Sequence, residues 1–344
     1  MKMKAMGMTE PGGPEVVKWL EIDKPAVTRP YDVLVRVLAA GVNPADWQIR
    51  SFGPPDYASE TSGSATIFGL DGVGVVEAVG SAVTDWVPGD EVWYIDGGYA
   101  SFQGSYAPYK IVDGRYLAHR PSSVDVLTAA AMPVVLVTAW EALYDRAKLT
   151  YDQSVLVQGG AGGVGHMAVQ LAAMRGARVA ATVSTDAKAA LATSLGAGHI
   201  IRYRDEDVGE ALRTWTAKDG ADVVFDTIGG DVFKSSFALT APFGTLVSCV
   251  VSDWPEGNTE TPAFRNIAVT FENEGWPQVM NDHDGRLAQT AILARGAELV
   301  DAGKLKVHLG HVFPLAEAAE AQRAVQAGDF MGRVVLDLRD IEPN

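Results

Sequence analysis

The chain has 344 residues, is 47% hydrophobic and 21% charged, and carries a formal net charge of −15. Its length exceeds a typical single core and its composition is globular, so two domains are expected. The acidic balance argues against nucleic acid and against an anionic membrane surface, because both are bound through Lys and Arg.

A single cysteine, Cys249, rules out a disulfide framework and a cysteine zinc cage, and it fits a reducing, cytoplasmic setting. The opening MKMKAMGMTEPGG lacks the apolar run of a signal peptide. The longest apolar stretch, 129–143, is interrupted by Pro133, Thr138 and Glu141 and is too short to span a bilayer.

The first ~125 residues read as β-rich, with strands at 33–39 and 72–80 and a turn leading into a strand at 88–93. Turn residues recur at the spacing of a small barrel or sandwich. The stretch 122–144 reads as two successive helices. A regular alternation follows: strands at 154–159, 178–184, 199–203, 221–229 and 244–251, with helices at 164–176, 186–197, 208–217 and 232–240 between them. Five strands alternating with helices predict a doubly wound parallel sheet, the Rossmann class of α/β fold. Beyond residue 266 the pattern loosens into helices at 285–303 and 315–328 and a last strand at 332–338, which is free to return to the first domain. The expected domains are 1–127, 128–266 and a returning segment 267–344.

Between the first strand of that alternation and its helix lies QGGAGGVGH, residues 158–166. Gly160, Gly162 and Gly165 make a G-x-G-x-x-G pattern. The first glycine allows a tight turn, the second a close approach of backbone to a pyrophosphate, and the third close packing of helix on strand. Gly160, Gly162, Gly163, Val164 and Gly165 are therefore the candidate dinucleotide contacts. At the end of the second strand, ATVST (181–185) offers no acid for a ribose 2′-hydroxyl, and Asp186 just beyond reads as a helix N-cap. Ser184 and Lys188, with Tyr203 and Arg204 at the tip of the third strand, suit a 2′-phosphate instead. The expected cofactor is NADP(H).

AAGVNPAD (39–46), GLDGVGVVEAVG (69–80), TAW…EAL near 138–143, AGGVG (161–165) and the ending 303–338 occur in one order along the chain. In these the sequence resembles the zinc-independent quinone oxidoreductase branch, to which zeta-crystallin belongs, of the medium-chain dehydrogenase/reductase superfamily. The resemblance implies a GroES-like catalytic domain beside the Rossmann domain. A zinc enzyme of that superfamily carries a Cys where this chain has Asn43, and Gly-His-Glu where it has Gly69-Leu70-Asp71. The resemblance also places Asn43 and Asp46 near the nicotinamide and Thr138 against the cofactor, and it counts Arg333 among the cofactor contacts. Gln48 stands beside Trp47 where relatives often place a Tyr, which leaves water, Tyr57 or another hydroxyl as proton donor. The six histidines show no ligand spacing; His308 and His311 fall in a strand or turn.

The activity implied is hydride transfer from NADPH to a quinone or an α,β-unsaturated carbonyl, in a homodimer acting on a small molecule. The alternatives are an enoyl-thioester reductase of the same superfamily and a cofactor-binding protein with little turnover.

Overall fold

A computed structural model describes residues 1–53, 65–98, 103–250, 260–328 and 330–341; Tyr57 lies outside the described residues. The chain divides into two compact units, Met1–Val134 with Gly275–Asn344, and Val135–Glu274.

In the first unit, strand Asp32–Val42 is the spine. Its alternating apolar residues bury Val33 and Val35 against Val76, Trp86, Val92, Tyr94, Val112 and Leu117. It runs antiparallel to Asp71–Val79 along one edge. Along the other it pairs with Tyr109–Asp113 and then with Arg333–Asp337, in the register Val334↔Val42 and Leu336↔Ala40. The C-terminal segment thus supplies a strand to this sheet, and Leu309–Pro314 adds a further one parallel to it. His311 lies in that strand. A smaller sheet pairs Lys2–Met8 with Lys18–Asp23 and Thr66–Ile67.

The second unit is a six-stranded parallel sheet. Its spatial order is His199–Arg202, Arg178–Val183, Ser154–Val157, Ala221–Asp226, Thr240–Ser248, Ala268–Phe271. In chain order this is 3-2-1-4-5-6, the doubly wound arrangement. Its order reverses between Ser154–Val157 and Ala221–Asp226, the place where such sheets hold ligands beyond their carboxyl ends. Leu156, Val224 and Leu246 pack one face against Phe233 and Phe237 of helix Gly230–Leu239. Each such side chain contributes about 1.5–3 kcal/mol on burial.

The sixth strand was not expected. Its sequence, AVTF, is an edge with both ends exposed and no residue buried, so it lacks the buried run of the central strands Ser154–Val157, Arg178–Val183 and Ala221–Asp226. The 122–144 stretch resolves into Val126–Ala130 and Pro133–Trp140, followed by a π-helical turn, Glu141–Arg146. Pro133 opens the second helix, where a missing N–H costs nothing. Among the described residues, no helix is long and apolar enough to cross a membrane.

Candidate functional site

The glycine loop leaves strand Ser154–Val157 and is stitched to the next strand. The Gly159 amide donates to Thr182 Oγ1 at 2.9 Å and the Gly160 amide to Thr182 O at 3.1 Å. The left-handed turn falls at Gly159, with φ +73°, one residue before the glycine expected to make it. Gly160 serves close packing instead, since a Cβ there would stand 2.5 Å from Ala181 Cβ. Gly165 does what the pattern predicts: a Cβ would lie 2.1 Å from Gly159 O.

A Cβ on Gly162 would meet only Gly159 O, at 3.2 Å, so the outer side of the loop is open. Gly162 is the N-cap of helix Gly163–Met174 and offers no side chain to the helix end. The first-turn amides of Gly163, Val164 and Gly165 therefore have no partner within the helix, and they sit at its positive end. This donor set and this space fit a diphosphate.

At the tip of the second strand, Thr185 and not Asp186 caps helix Asp186–Ser194, accepting the Lys188 amide at 3.2 Å. Asp186 is the first helical residue; it is exposed and pairs with Arg202, which also holds Asp205 at 3.1 Å. The register Val183↔Arg202 sets Ser184 beside Tyr203 just past the strand ends, with Lys188 in the adjoining helical turn. The structure thus brings Ser184, Lys188 and Tyr203 to one edge of the sheet. Thr138 is buried in helix Pro133–Trp140.

In the first unit, Asn43 and Asp46 belong to a buried polar network. Asn43 is the N-cap of helix Pro44–Phe52, with Asp46 at the third helical position reaching back to it in a capping box. Its Nδ2 donates to Asp71 Oδ1 at 2.9 Å, and its Oδ1 accepts from Arg333 Nη2 at 2.8 Å. The Asp46 carboxylate accepts from Asn43 N at 2.8 Å, Gly69 N at 3.0 Å and Tyr106 Oη at 3.1 Å. Burial raises Asp46 to about 7 against these donors, with Asp71 adding to the rise. Asp71, which also accepts from Val134 N at 3.0 Å, is raised by burial, with Arg333 opposing.

Arg333, expected among the cofactor contacts, donates within this unit to Ala131 O at 2.9 Å, Val42 O at 3.2 Å and Asn43. Gln48 is exposed on its helix. Asp71, Tyr106 and the buried group Asp96, Lys110 and Arg286 escaped the sequence reading as site residues. One signal was available for two of them, and Arg333 shares it. Asp71, Lys110 and Arg333 are charges at or near the ends of otherwise apolar strands, where a charge persists only with a partner. Among the described residues, no group of three His, Cys, Asp or Glu side chains stands close enough to hold a metal ion.

Comparisons with known proteins cover both units. Residues 29–122 match the alcohol dehydrogenase GroES-like domain and residues 163–273 the family described as zinc-binding dehydrogenase. A quinone oxidoreductase of Pseudomonas aeruginosa is 32% identical over 330 residues, 94% of this chain and 96% of the relative. A highly reducing polyketide synthase of Alternaria cinerariae is 33% identical over 79% of this chain, which spans only 11% of that much longer protein. The crystal structure of Escherichia coli quinone oxidoreductase complexed with NADPH superposes with a TM-score of 0.84 at 26% identity, covering 97% of this chain and 99% of that one. Over nearly its whole length the chain is built as these oxidoreductases are, and it belongs to the zinc-independent quinone oxidoreductase branch of the medium-chain dehydrogenase/reductase superfamily.

Proposed function

We propose that the protein is a zinc-independent NADPH-dependent oxidoreductase that reduces a quinone or an activated, α,β-unsaturated carbonyl. The observation that carries this reading is the loop Gly159–Gly165. It has an open outer side, three first-turn amides, and a position at the reversal of the strand order.

In this reading Gly162, Gly163, Val164 and Gly165 hold the diphosphate, with Gly160 shaping the loop. Ser184, Lys188 and Tyr203 receive the 2′-phosphate, and Thr138 lies against the cofactor. When bound, NADPH supplies the hydride. The protein's own part is position and a proton. Asn43 and Asp46 shape the 43–46 turn, and Arg333 locks Asn43 in place. Gln48 faces the acceptor side from an exposed helical position.

The test is NADPH oxidation over quinones, alkenals and enoyl thioesters, with NADH as control and with a chelator present. Turnover of a quinone or alkenal that prefers NADPH and survives the chelator is the expected result. A need for added Zn²⁺, a clear preference for NADH, or cofactor binding with no turnover across the panel overturns it. A second reading, enoyl-thioester reduction, is favoured by the match to the polyketide synthase, and a higher kcat/KM for enoyl thioesters than for quinones would select it. The sheet ends in the short, partly exposed strand Ala268–Phe271, with Phe271 among the exposed large apolar residues; this supports a homodimer, to be checked by light scattering.

A further inference from the structure

A threonine, a glutamine and a serine join in one chain of hydrogen bonds beside the glycine loop. The Gly159 amide donates to Thr182 Oγ1 at 2.9 Å, and Thr182 Oγ1 donates to Gln158 Oε1 at 2.9 Å. From the same side-chain amide, Gln158 Nε2 donates to Ser236 Oγ at 3.4 Å, and Ser236 Oγ donates to Val232 O at 2.8 Å. All three side chains are buried.

The direction of this relay is fixed by its ends. A backbone amide donates and a backbone carbonyl accepts. The Gly159 amide therefore turns the Thr182 proton toward Gln158, and Val232 O draws the Ser236 proton away from it. Gln158 must then present Oε1 to Thr182 and Nε2 to Ser236. Bonds aligned in one direction reinforce one another in a low-dielectric interior.

The main chain of Gln158 is pinned as well. Its amide donates to Phe225 O at 2.9 Å, and its carbonyl accepts from Thr227 Oγ1 at 2.7 Å. Asp226 fixes the loop that carries Thr227. Its Oδ1 accepts from the Ile228 and Gly229 amides, both at 3.0 Å, and its Oδ2 from Ser248 Oγ at 2.8 Å. Gln158 is thus tied to the strands on both sides of the reversal in strand order. Gly159 follows it at φ +73° and opens a turn closed by the Gly162 amide, which donates to Gly159 O at 2.9 Å. The His166 amide donates to Gly162 O at 3.0 Å, so the turn hands its position directly to the first turn of helix Gly163–Met174.

We infer that Thr182 and Gln158 are positioning residues for the dinucleotide: their relay orients the Gly159 turn and, through it, the amides of Gly163, Val164 and Gly165. This rests on the reading of those amides as the diphosphate contacts. A relay role and a packing role predict opposite outcomes at Thr182. Valine keeps the shape and removes the hydroxyl, whereas serine keeps the hydroxyl and removes a methyl group.

The test is fluorescence titration of the full-length protein with NADPH and with NADH. Thr182→Val leaves the Gly159 amide without its acceptor and should raise both Kd values about tenfold. The two cofactors share the diphosphate, so the two rises should be equal. Thr182→Ser should stay within about twofold of wild type, because the relay survives. Ser236→Ala removes the longest link and should raise both Kd values about threefold. Thr216→Val removes the hydroxyl of another buried threonine, bonded to Leu212 O, and should leave both unchanged.

Amide hydrogen exchange of cofactor-free protein gives a second readout: protection of residues 158–166 should fall in Thr182→Val and persist in Thr182→Ser. Unmoved Kd values in a folded Thr182→Val variant overturn the inference. So does a loss confined to NADPH, or a Thr182→Ser variant as impaired as Thr182→Val. Should Thr182→Val not fold, Ser236→Ala decides by the same titration. Wild-type protein that binds neither cofactor overturns the diphosphate reading and the inference with it, whereas wild-type binding with unmoved variants removes the relay alone.

Discussion

Two residues carry consequences that reach beyond their contacts. Lys188 stands in the first turn after the second strand, near Ser184 and Tyr203, and the nearest acid, Asp186, is occupied by Arg202. If Lys188 meets a 2′-phosphate, Lys188→Ala removes one charge-assisted bond, worth roughly 1.5–3 kcal/mol. The Kd for NADPH should rise at least tenfold while that for NADH stays within about twofold. Equal weakening of both, measured by fluorescence titration, would remove Lys188 from the 2′-phosphate site. Asp46 is held near 7, above its ordinary 3.8. Between those values the folded chain keeps a proton that the unfolded chain releases, so Asp46 makes stability fall as pH rises through that window, by up to about 1.4 kcal/mol per pH unit. Asp46→Asn puts an amide donor opposite the Gly69 or Tyr106 donor and lowers stability outright, yet it should flatten this slope. Urea unfolding at pH 5, 6, 7 and 8 checks both effects.

Elements show where pattern reading succeeds and where it stops. Three strands of the alternation, Ser154–Val157, Arg178–Val183 and Ala221–Asp226, were legible as buried apolar runs, the other two as β-branched runs recurring between helices, and the glycine loop because its place between strand and helix gives its glycines distinct work. The left-handed position was misplaced by one residue, since consecutive glycines look alike in sequence and only the bonds to Thr182 separate them. Cross-chain partners were illegible. Nothing near Asn43 announces Arg333, 290 residues away.

The π-helical turn Glu141–Arg146 was hidden too, and it carries a titratable clasp. Glu272, just past the sixth strand, is buried against Glu141, and Arg146 Nε stands 3.1 Å from its Oε2. Burial, followed by the hydrogen bond and charge of Glu141, pushes Glu272 well above the carboxylate range, against Arg146. Asp145 belongs to the same turn, while Glu274 and Cys249 lie near the strand end; Glu274 adds to the rise. The folded chain keeps this proton after the unfolded chain has lost it, so the clasp weakens the fold as pH climbs above the carboxylate range. Glu272→Gln cannot ionise. Its melting temperature should exceed that of wild type by more at pH 8.5 than at pH 5. A constant difference across that range would mean that the two carboxyls do not share a proton.

At the scale of the molecule, the two units differ in how they use the chain. The second unit is one uninterrupted segment with six parallel strands and its own apolar core. The first unit is discontinuous. The half of strand Asp32–Val42 nearest Asn43 finds its partner in Arg333–Asp337, and Val334, Val335 and Leu336 are fully buried. Without that strand, backbone donors and acceptors from Ala39 to Val42 lose their ladder on that edge, and Asn43 loses Arg333. Excised residues 135–274 should therefore fold alone and melt cooperatively by circular dichroism, whereas residues 1–134 should not. Adding residues 275–344 to the latter as a separate chain should restore a cooperative melt, because the missing strand is then supplied in trans. If residues 1–134 melt cooperatively by themselves, the returning strand decorates the sheet and does not complete it.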